Sequence, residues 1–359
     1  MTRFANLKFM NIKFLLSLVA LSALCGRVYA DTAAPPVEEE PQSIFRLDVA
    51  ARVDFQWDAV DGHTQDANTG FEAKYLMFRI DGQIVKGLTY SWRQRLNKLH
   101  KDQAFFDATD WIYLNYAFRG WEFQAGKQVV GIGGWEYDRN PMDLYDCSVF
   151  WNNIPCYDLG VSVSRWITPS DKLMAQVTQS PFFTSDNRNM YAYNLMWQGN
   201  HGCFHPLYSL NLIEYEKGRY INYIALGNRF TFDKVEVEVD LMNRASSHQT
   251  FLFRDCSVMG EIAYSPTDRW RVFGKMTYDV NKSGTDADYT VSDGTELTMA
   301  GAGVEFYPLR KGRHSLRLHA GCFYSWGANA NTENLMQDRS LFACVGLTWN
   351  MNILNINKK

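Results

Sequence analysis

Arg93 and Arg95 stand two apart in "SWRQRLN", Arg46 and Arg52 stand six apart, and Arg271 and Lys275 stand four apart. On an extended backbone an even separation puts both cations of a pair on one face. Arg79, Arg269 and Arg317 fall in stretches of the same character. A separate segment, residues 130–157, carries Glu136, Asp138, Asp143 and Asp146 against the single Arg139. Cations on a wall and acids facing them across water would set up a transverse field. Such a field sorts solutes by charge and dipole and makes or breaks no covalent bond.

Covalent chemistry finds little footing. There is no G-x-S-x-G elbow, no glycine-rich phosphate loop and no H-E-x-x-H pair. The histidines, at 63, 100, 201, 205, 248, 314 and 319, fall mostly in connections. The stretch "HGCFH" sets His201, Cys203 and His205 at alternate positions, on one side of an extended segment, but shows no fourth ligand for zinc or copper. A polar turn with a buried thiol is the better reading, and we expect no enzyme, no metal and no cofactor. Cys147 and Cys156 share one long connection, so a disulfide between them stays open. Cys322 and Cys344 lie on opposite parities of their segments, which argues against a bond.

The elements that would carry these charges are strands. In "FRLDVAARVDFQWD" (45–58), Phe45, Leu47, Val49, Ala51, Val53, Phe55 and Trp57 share one parity, and Arg46, Asp48, Arg52, Asp54, Gln56 and Asp58 share the other. Period two with one apolar face describes a β-strand. Sixteen such segments follow one another from residue 45 to 351, with no convincing helix among them. Most are 10 to 15 residues long. Globular strands run about 5 to 6 residues, whereas a tilted strand crossing a bilayer needs about 9 to 11.

The connections alternate too. "VKG" (85–87), "RG" (119–120), "TPSD" (168–171), "DK" (233–234) and "SPTD" (265–268) are tight, while 59–70, 99–108, 130–157, 181–188, 245–250, 281–294 and 328–338 are longer. Trp121, Trp166, Trp197, Phe232, Tyr264, Trp270, Phe306 and Trp349 gather near the ends served by tight turns. An even number of strands, short turns on one side, long loops on the other and a belt of amphipathic rings fit an antiparallel barrel in an outer membrane. In such a barrel the apolar parity meets lipid and the charged parity lines water.

The chain opens with Arg3, Lys8 and Lys13, an apolar run from 14 to 24, and "VYA" at 28–30. These mark a secretory signal peptide over residues 1–30, followed by a flexible periplasmic lead at 31–44 and the barrel at 45–359. Removing the leader takes four basic residues, leaving 32 Lys and Arg against 39 Asp and Glu, a net charge of −7. No clustered positive charge of the kind that binds nucleic acid is present.

Three stretches then carry a resemblance: "GFEAKYLMFRIDGQIVKGLTYSWRQRLN" (70–97), "DWIYLNYAFRGWEFQAGKQ" (110–128) and "YDLGVSVSRWITPSDKLMAQVTQ" (157–179). The chain resembles the phosphate-selective porin O and P family of Gram-negative outer membranes. The resemblance implies a sixteen-stranded and trimeric pore whose third external loop, here 130–157, folds inward as a constriction. Where that family tends toward consecutive arginines at the start of its second strand, this chain has "AKYLM" (73–77), so phosphate selectivity is not carried over.

The expectation is therefore a diffusion porin, in contact with outer-membrane lipid, passing small hydrophilic solutes or ions, with anions such as phosphate among the candidates. Its pore-lining charges would be Arg46, Arg52, Arg79, Arg93, Arg95, Arg271 and Lys275 facing Glu136, Asp138, Asp143 and Asp146. The alternative is a β-rich secreted or outer-membrane binding or adhesion module without a pore.

Overall fold

A computed structural model describes residues 43–98, 105–184, 187–246, 254–285, 290–331 and 337–357. The leader and most of the lead expected at 1–44 lie outside the described residues. Sixteen long strands run in chain order: β1 (Ser43–Val60), β2 (Gly70–Val85), β3 (Leu88–Arg95), β4 (Thr109–Phe118), β5 (Trp121–Val129), β6 (Tyr157–Trp166), β7 (Asp171–Gln179) and β8 (Tyr191–Gly199). The second half is β9 (Phe204–Glu216), β10 (Arg219–Phe232), β11 (Val235–Ser246), β12 (Asp255–Thr267), β13 (Trp270–Asn281), β14 (Glu296–Lys311), β15 (His314–Ala328) and β16 (Ser340–Asn357). A two-residue ladder, His63–Thr64, adds to the end of β1.

Every strand pairs antiparallel with its neighbours in sequence, and β1 pairs with β16 from Ser43↔Asn357 to Val60↔Ser340. The sheet is closed. Closure removes the exposed edge that would leave a row of backbone groups unpaired in lipid. No helix among the described residues is long and apolar enough to cross a membrane, so any crossing is made by strands.

Turn chemistry explains the tight ends. Arg119 and Gly120 both take positive φ, 49° and 80°, between Phe118 and Trp121, as a type I′ hairpin requires. The expected faces are also found. On β1, Arg52 is 1% and Asp54 0% exposed, while Phe55 is 44% exposed on the opposite parity. On β16, Val345 is 64% exposed beside a buried Cys344. Trp270 packs against Phe306 across the β13–β14 ladder, ring centres 4.6 Å apart and planes tilted by 34°, part of the ring belt at the tight-turn end.

Several strands differ from their expected bounds by two residues or more, the third and the last among them. The third strand, expected to reach 98, stops at Arg95, because a bulge between Arg93 and Gln94 inserts Asp110 into the facing strand. The last strand, expected to stop at 351, continues to Asn357, because β1 begins early enough to offer partners to Leu354, Asn355 and Ile356.

The apolar core lies inside the barrel. Val130, Ile132, Tyr137, Tyr145, Val149, Phe150 and Ile154, all from the segment after β5, pack against inward side chains of the wall such as Tyr223, Phe273 and Phe323. A water-filled tube has no need of such a core. Here it glues a loop to the wall.

Candidate functional site

The loop between β5 and β6 leaves the wall through "GIGG" (131–134) and lies along the interior. Gly131 N–H donates to Gln176 Oε1 on β7 (2.6 Å), Gly133 N–H to Ser209 Oγ on β9 (2.8 Å) and Gly134 N–H to the Leu207 carbonyl (3.1 Å). A Cβ on Gly133 would stand 2.7 Å from the Leu207 carbonyl oxygen, and Gly134 has φ of 104°. Only glycine lets this backbone rest directly on the strands.

Beyond the glycines come three short helical pieces, α1 (Trp135–Asp138), a 3-10 turn (Pro141–Asp143) and α2 (Val149–Asn153). None could persist alone, and each is held from the wall. Asp240 on β11 accepts the Glu136 N–H at 2.8 Å. Asp279 on β13 accepts the N–H groups of Val149 (2.9 Å) and Phe150 (3.3 Å), filling the open start of α2, while the capping Ser148 accepts from Trp151 N–H. Glu136 meets Lys275 Nζ at 2.6 Å and accepts from the Ser148 hydroxyl at 2.6 Å; Lys275 also donates to the Asp146 carbonyl at 2.6 Å.

Further along, Arg139 spans Glu238 and Glu261, the latter at 2.6 Å. Asp143 meets Arg317 at 2.6 Å, and Tyr145 donates to Glu305 at 2.6 Å. Arg52 donates to the Leu144 carbonyl at 2.5 Å while paired with Asp54, which also contacts His319 Nε2 at 2.9 Å. The loop is thus fastened to β7, β9, β11 to β15 and β1. Breaking one partner out of a buried pair costs about 3 to 5 kcal/mol, so several together make the fastening rigid.

This arrangement differs from acids facing a basic wall across water. Glu136 and Asp143 touch their cations directly, and Asp146 lies beside Lys275 through its own main chain. The reason is desolvation: charges carried into a packed interior need a partner in contact. Asp138 is exposed, with no ion pair among the described residues. Burial, only partly offset by Lys275, pushes the Asp146 carboxyl up to about 7.

The wall cations are compensated too. Arg46 pairs with Asp48 (3.1 Å) and Asp81 (2.6 Å), and Arg79 with the same Asp81 (2.8 Å). Arg271 meets Glu261 at 2.6 Å and Glu305 at 3.7 Å. Arg93 pairs with Asp110 at 2.8 Å, donates to the Tyr157 hydroxyl and lies 3.7 Å from the centre of the Trp111 ring. Arg95 alone of the expected set has no carboxylate partner among the described residues; its guanidinium lies 4.1 Å over the Tyr75 ring and its Nε makes no hydrogen bond there. Arg79, Arg93 and Arg95, on β2 and β3, stand on the side of the barrel that the loop's ion pairs leave untouched.

Sequence reasoning passed over the wall acids Asp110, Glu238, Asp240, Glu261, Asp279 and Glu305. Their signal was present in "VEVEVD" (235–240), where Glu236, Glu238 and Asp240 share the inward parity. Cys147 and Cys156 are both free and separated by α2. In "HGCFH", His201 contacts Asp171 at 3.0 Å, and no metal-holding cluster occurs among the described residues.

Residues 45–203 match the phosphate-selective porin O and P family. Similar porin-type barrels are an anion-selective porin from Comamonas acidovorans, at 10% identity over 86% of this chain and 100% of that one, with a TM-score of 0.59. The outer membrane channel DcaP of Acinetobacter baumannii is 11% identical over 86% of this chain and 96% of its own, with a TM-score of 0.61. OmpT, an outer membrane protein of Vibrio cholerae in a trimer form, is 12% identical over 86% and 99%, with a TM-score of 0.57. None of the curated proteins matches this chain in sequence. At such identities the porin likeness is one of fold.

Proposed function

We propose that the protein is an outer-membrane diffusion porin through which small hydrophilic solutes and ions pass passively, with a weak preference for anions such as phosphate. What carries the reading is the interior: a closed sixteen-strand wall whose inward parity is charged, narrowed by a loop pinned to one side. Because most charges cancel in contact pairs, the path is close to neutral. Arg95, with no carboxylate in contact, tips its side of the path toward anions, away from the unpaired Asp138 on the loop. We propose further that residues 1–30 are removed on export, that 31–42 remain as a periplasmic lead, two residues shorter than expected because β1 begins at Ser43, and that the apolar exterior hollow over β3 to β10, lined by Leu114, Phe123, Val161, Ala175, Leu195 and Leu210, seats neighbouring copies in a trimer.

Fractionation followed by liposome swelling tests the porin reading. The protein should resist salt and carbonate extraction, migrate differently in gels before and after heating, and render liposomes permeable to small sugars. A mature chain that stays soluble without detergent, or a folded barrel that leaves liposomes tight, would favour a binding module.

A further inference from the structure

The lipid-facing side of the wall carries two guanidiniums at the tight-turn end, among the rings of the belt. Arg165 on β6 has the outward parity. It pairs with Trp121 on β5 and with Leu173 on β7, both exposed on the outer surface, and Leu173 pairs in turn with Trp197. Its guanidinium lies 4.8 Å from the centre of the Trp121 ring. Arg119, in the β4–β5 turn, lies 5.0 Å from the centre of the Phe118 ring, and Phe118 faces Trp121 across that hairpin. The two cations thus flank one pair of belt rings.

No protein group answers them. Both arginines are exposed, and neither makes an ion pair or a side-chain hydrogen bond among the described residues. Asp171, the outward acid on β7, is already engaged by Thr168 Oγ1 (2.6 Å), Trp197 Nε1 (2.9 Å) and His201 Nε2 (3.0 Å). A cation on the outer face is costly at mid-membrane and tolerated at the interface, where headgroups lie. A guanidinium there can hold a phosphate through two parallel hydrogen bonds.

Toward mid-membrane from these cations opens the apolar exterior hollow, with a volume of ≈ 1020 Å³. Tyr116, Phe123 and Val163 line it, each two residues along its strand from Phe118, Trp121 and Arg165. A cationic foot below an apolar hollow matches an amphiphile with an anionic head and hydrocarbon tails. The outward parity of a neighbouring copy is mostly apolar and offers such cations little counter-charge, whereas a phosphate supplies it.

We propose that the foot of this hollow binds an anionic phospholipid of the periplasmic leaflet, its phosphate on Arg119 and Arg165 and its acyl chains in the hollow, so that lipid completes the seat between neighbouring copies. The proposal rests on the reading of the tight turns as periplasmic and of the hollow as the trimer seat; the lipid contact itself needs no conduction.

Native mass spectrometry of the full-length mature barrel, released from a neutral detergent, reads bound lipid and chain number together. The probes are dioleoylphosphatidylglycerol and, as the neutral control, dioleoylphosphatidylcholine. The wild type should hold the glycerol lipid about tenfold more tightly than the choline lipid, about 1.4 kcal/mol. Arg119→Asn with Arg165→Gln should bring the two lipids level, while Arg119→Lys with Arg165→Lys should keep most of the preference. Heat-modifiable migration checks that both variants fold. Equal retention of the two lipids by the wild type, a preference unchanged in the uncharged variant, or displacement of the glycerol lipid by equimolar inorganic phosphate overturns the lipid site. Glycerol lipid held by single chains leaves the lipid site standing and removes the trimer seat, whereas trimers without the preference keep the seat and overturn the lipid.

Discussion

Lys275 Nζ lies 2.6 Å from Glu136 Oε1, with both side chains 5% exposed, and the same ammonium reaches the Asp146 carbonyl. One wall cation therefore holds both limbs of the inward loop, before and after its turn. Glu136→Gln leaves Lys275 buried without its counter-charge and should lower barrel stability by about 3 to 5 kcal/mol. Adding Lys275→Met should recover most of that loss, since a buried pair replaced by apolar groups is often neutral. Heat-modifiable migration over a temperature series measures both. A double variant as weak as the single would mean that the pair does not fasten the loop.

The two faces of the wall make a second test. Val345→Arg places a charge on the outward face near mid-strand and should cost about 2 to 4 kcal/mol in a bilayer. Arg79→Gln alters a half-exposed inward group and should leave folding in lipid vesicles unchanged. Equal folding yields for the two would contradict the face assignment.

This face assignment was legible in the sequence because lipid on one side and water on the other force strict alternation, as in Phe55 against Asp54. The tight turns were legible because positive φ at Arg119 and Gly120 has a residue signature. What the loop touches was not legible. Glu136 and Lys275 are 139 positions apart, and no local pattern says that Asp240 and Asp279 will meet the ends of one-turn helices. A reader of "VEVEVD" sees inward acids but not the Arg139 that bridges to one of them.

Acidity provides a third expectation. With its carboxyl raised to about 7, Asp146 is largely protonated below that pH and gains charge above it. The folded state holds this proton more tightly than the unfolded chain, so the contribution of Asp146 to stability is fully present below its ordinary range near 4 and is lost as pH rises through 7. Selectivity should move toward cations over the same rise. Reversal potentials from pH 5.5 to 8.5 should show this step in the wild type and lack it in Asp146→Asn. A step of the same size in both would assign it to other groups.

Arg95 should carry more of the anion preference than its neighbours do. Arg95→Ala removes a charge that no described acid balances, whereas Arg46→Ala removes one that Asp48 and Asp81 already offset. The first should shift the reversal potential toward cations more strongly, most of all at low salt, where screening reaches about 30 Å at 0.01 M. Equal shifts in the two variants would show that pairing does not set the field.

The central claim is that the closed barrel keeps a water path beside its pinned loop. Single-channel recording of the purified, refolded protein in a planar bilayer under a tenfold salt gradient tests it most directly. The account predicts discrete, long-lived conductance steps with a reversal potential displaced modestly toward anion passage. A folded, heat-modifiable barrel that inserts and passes no current would contradict it.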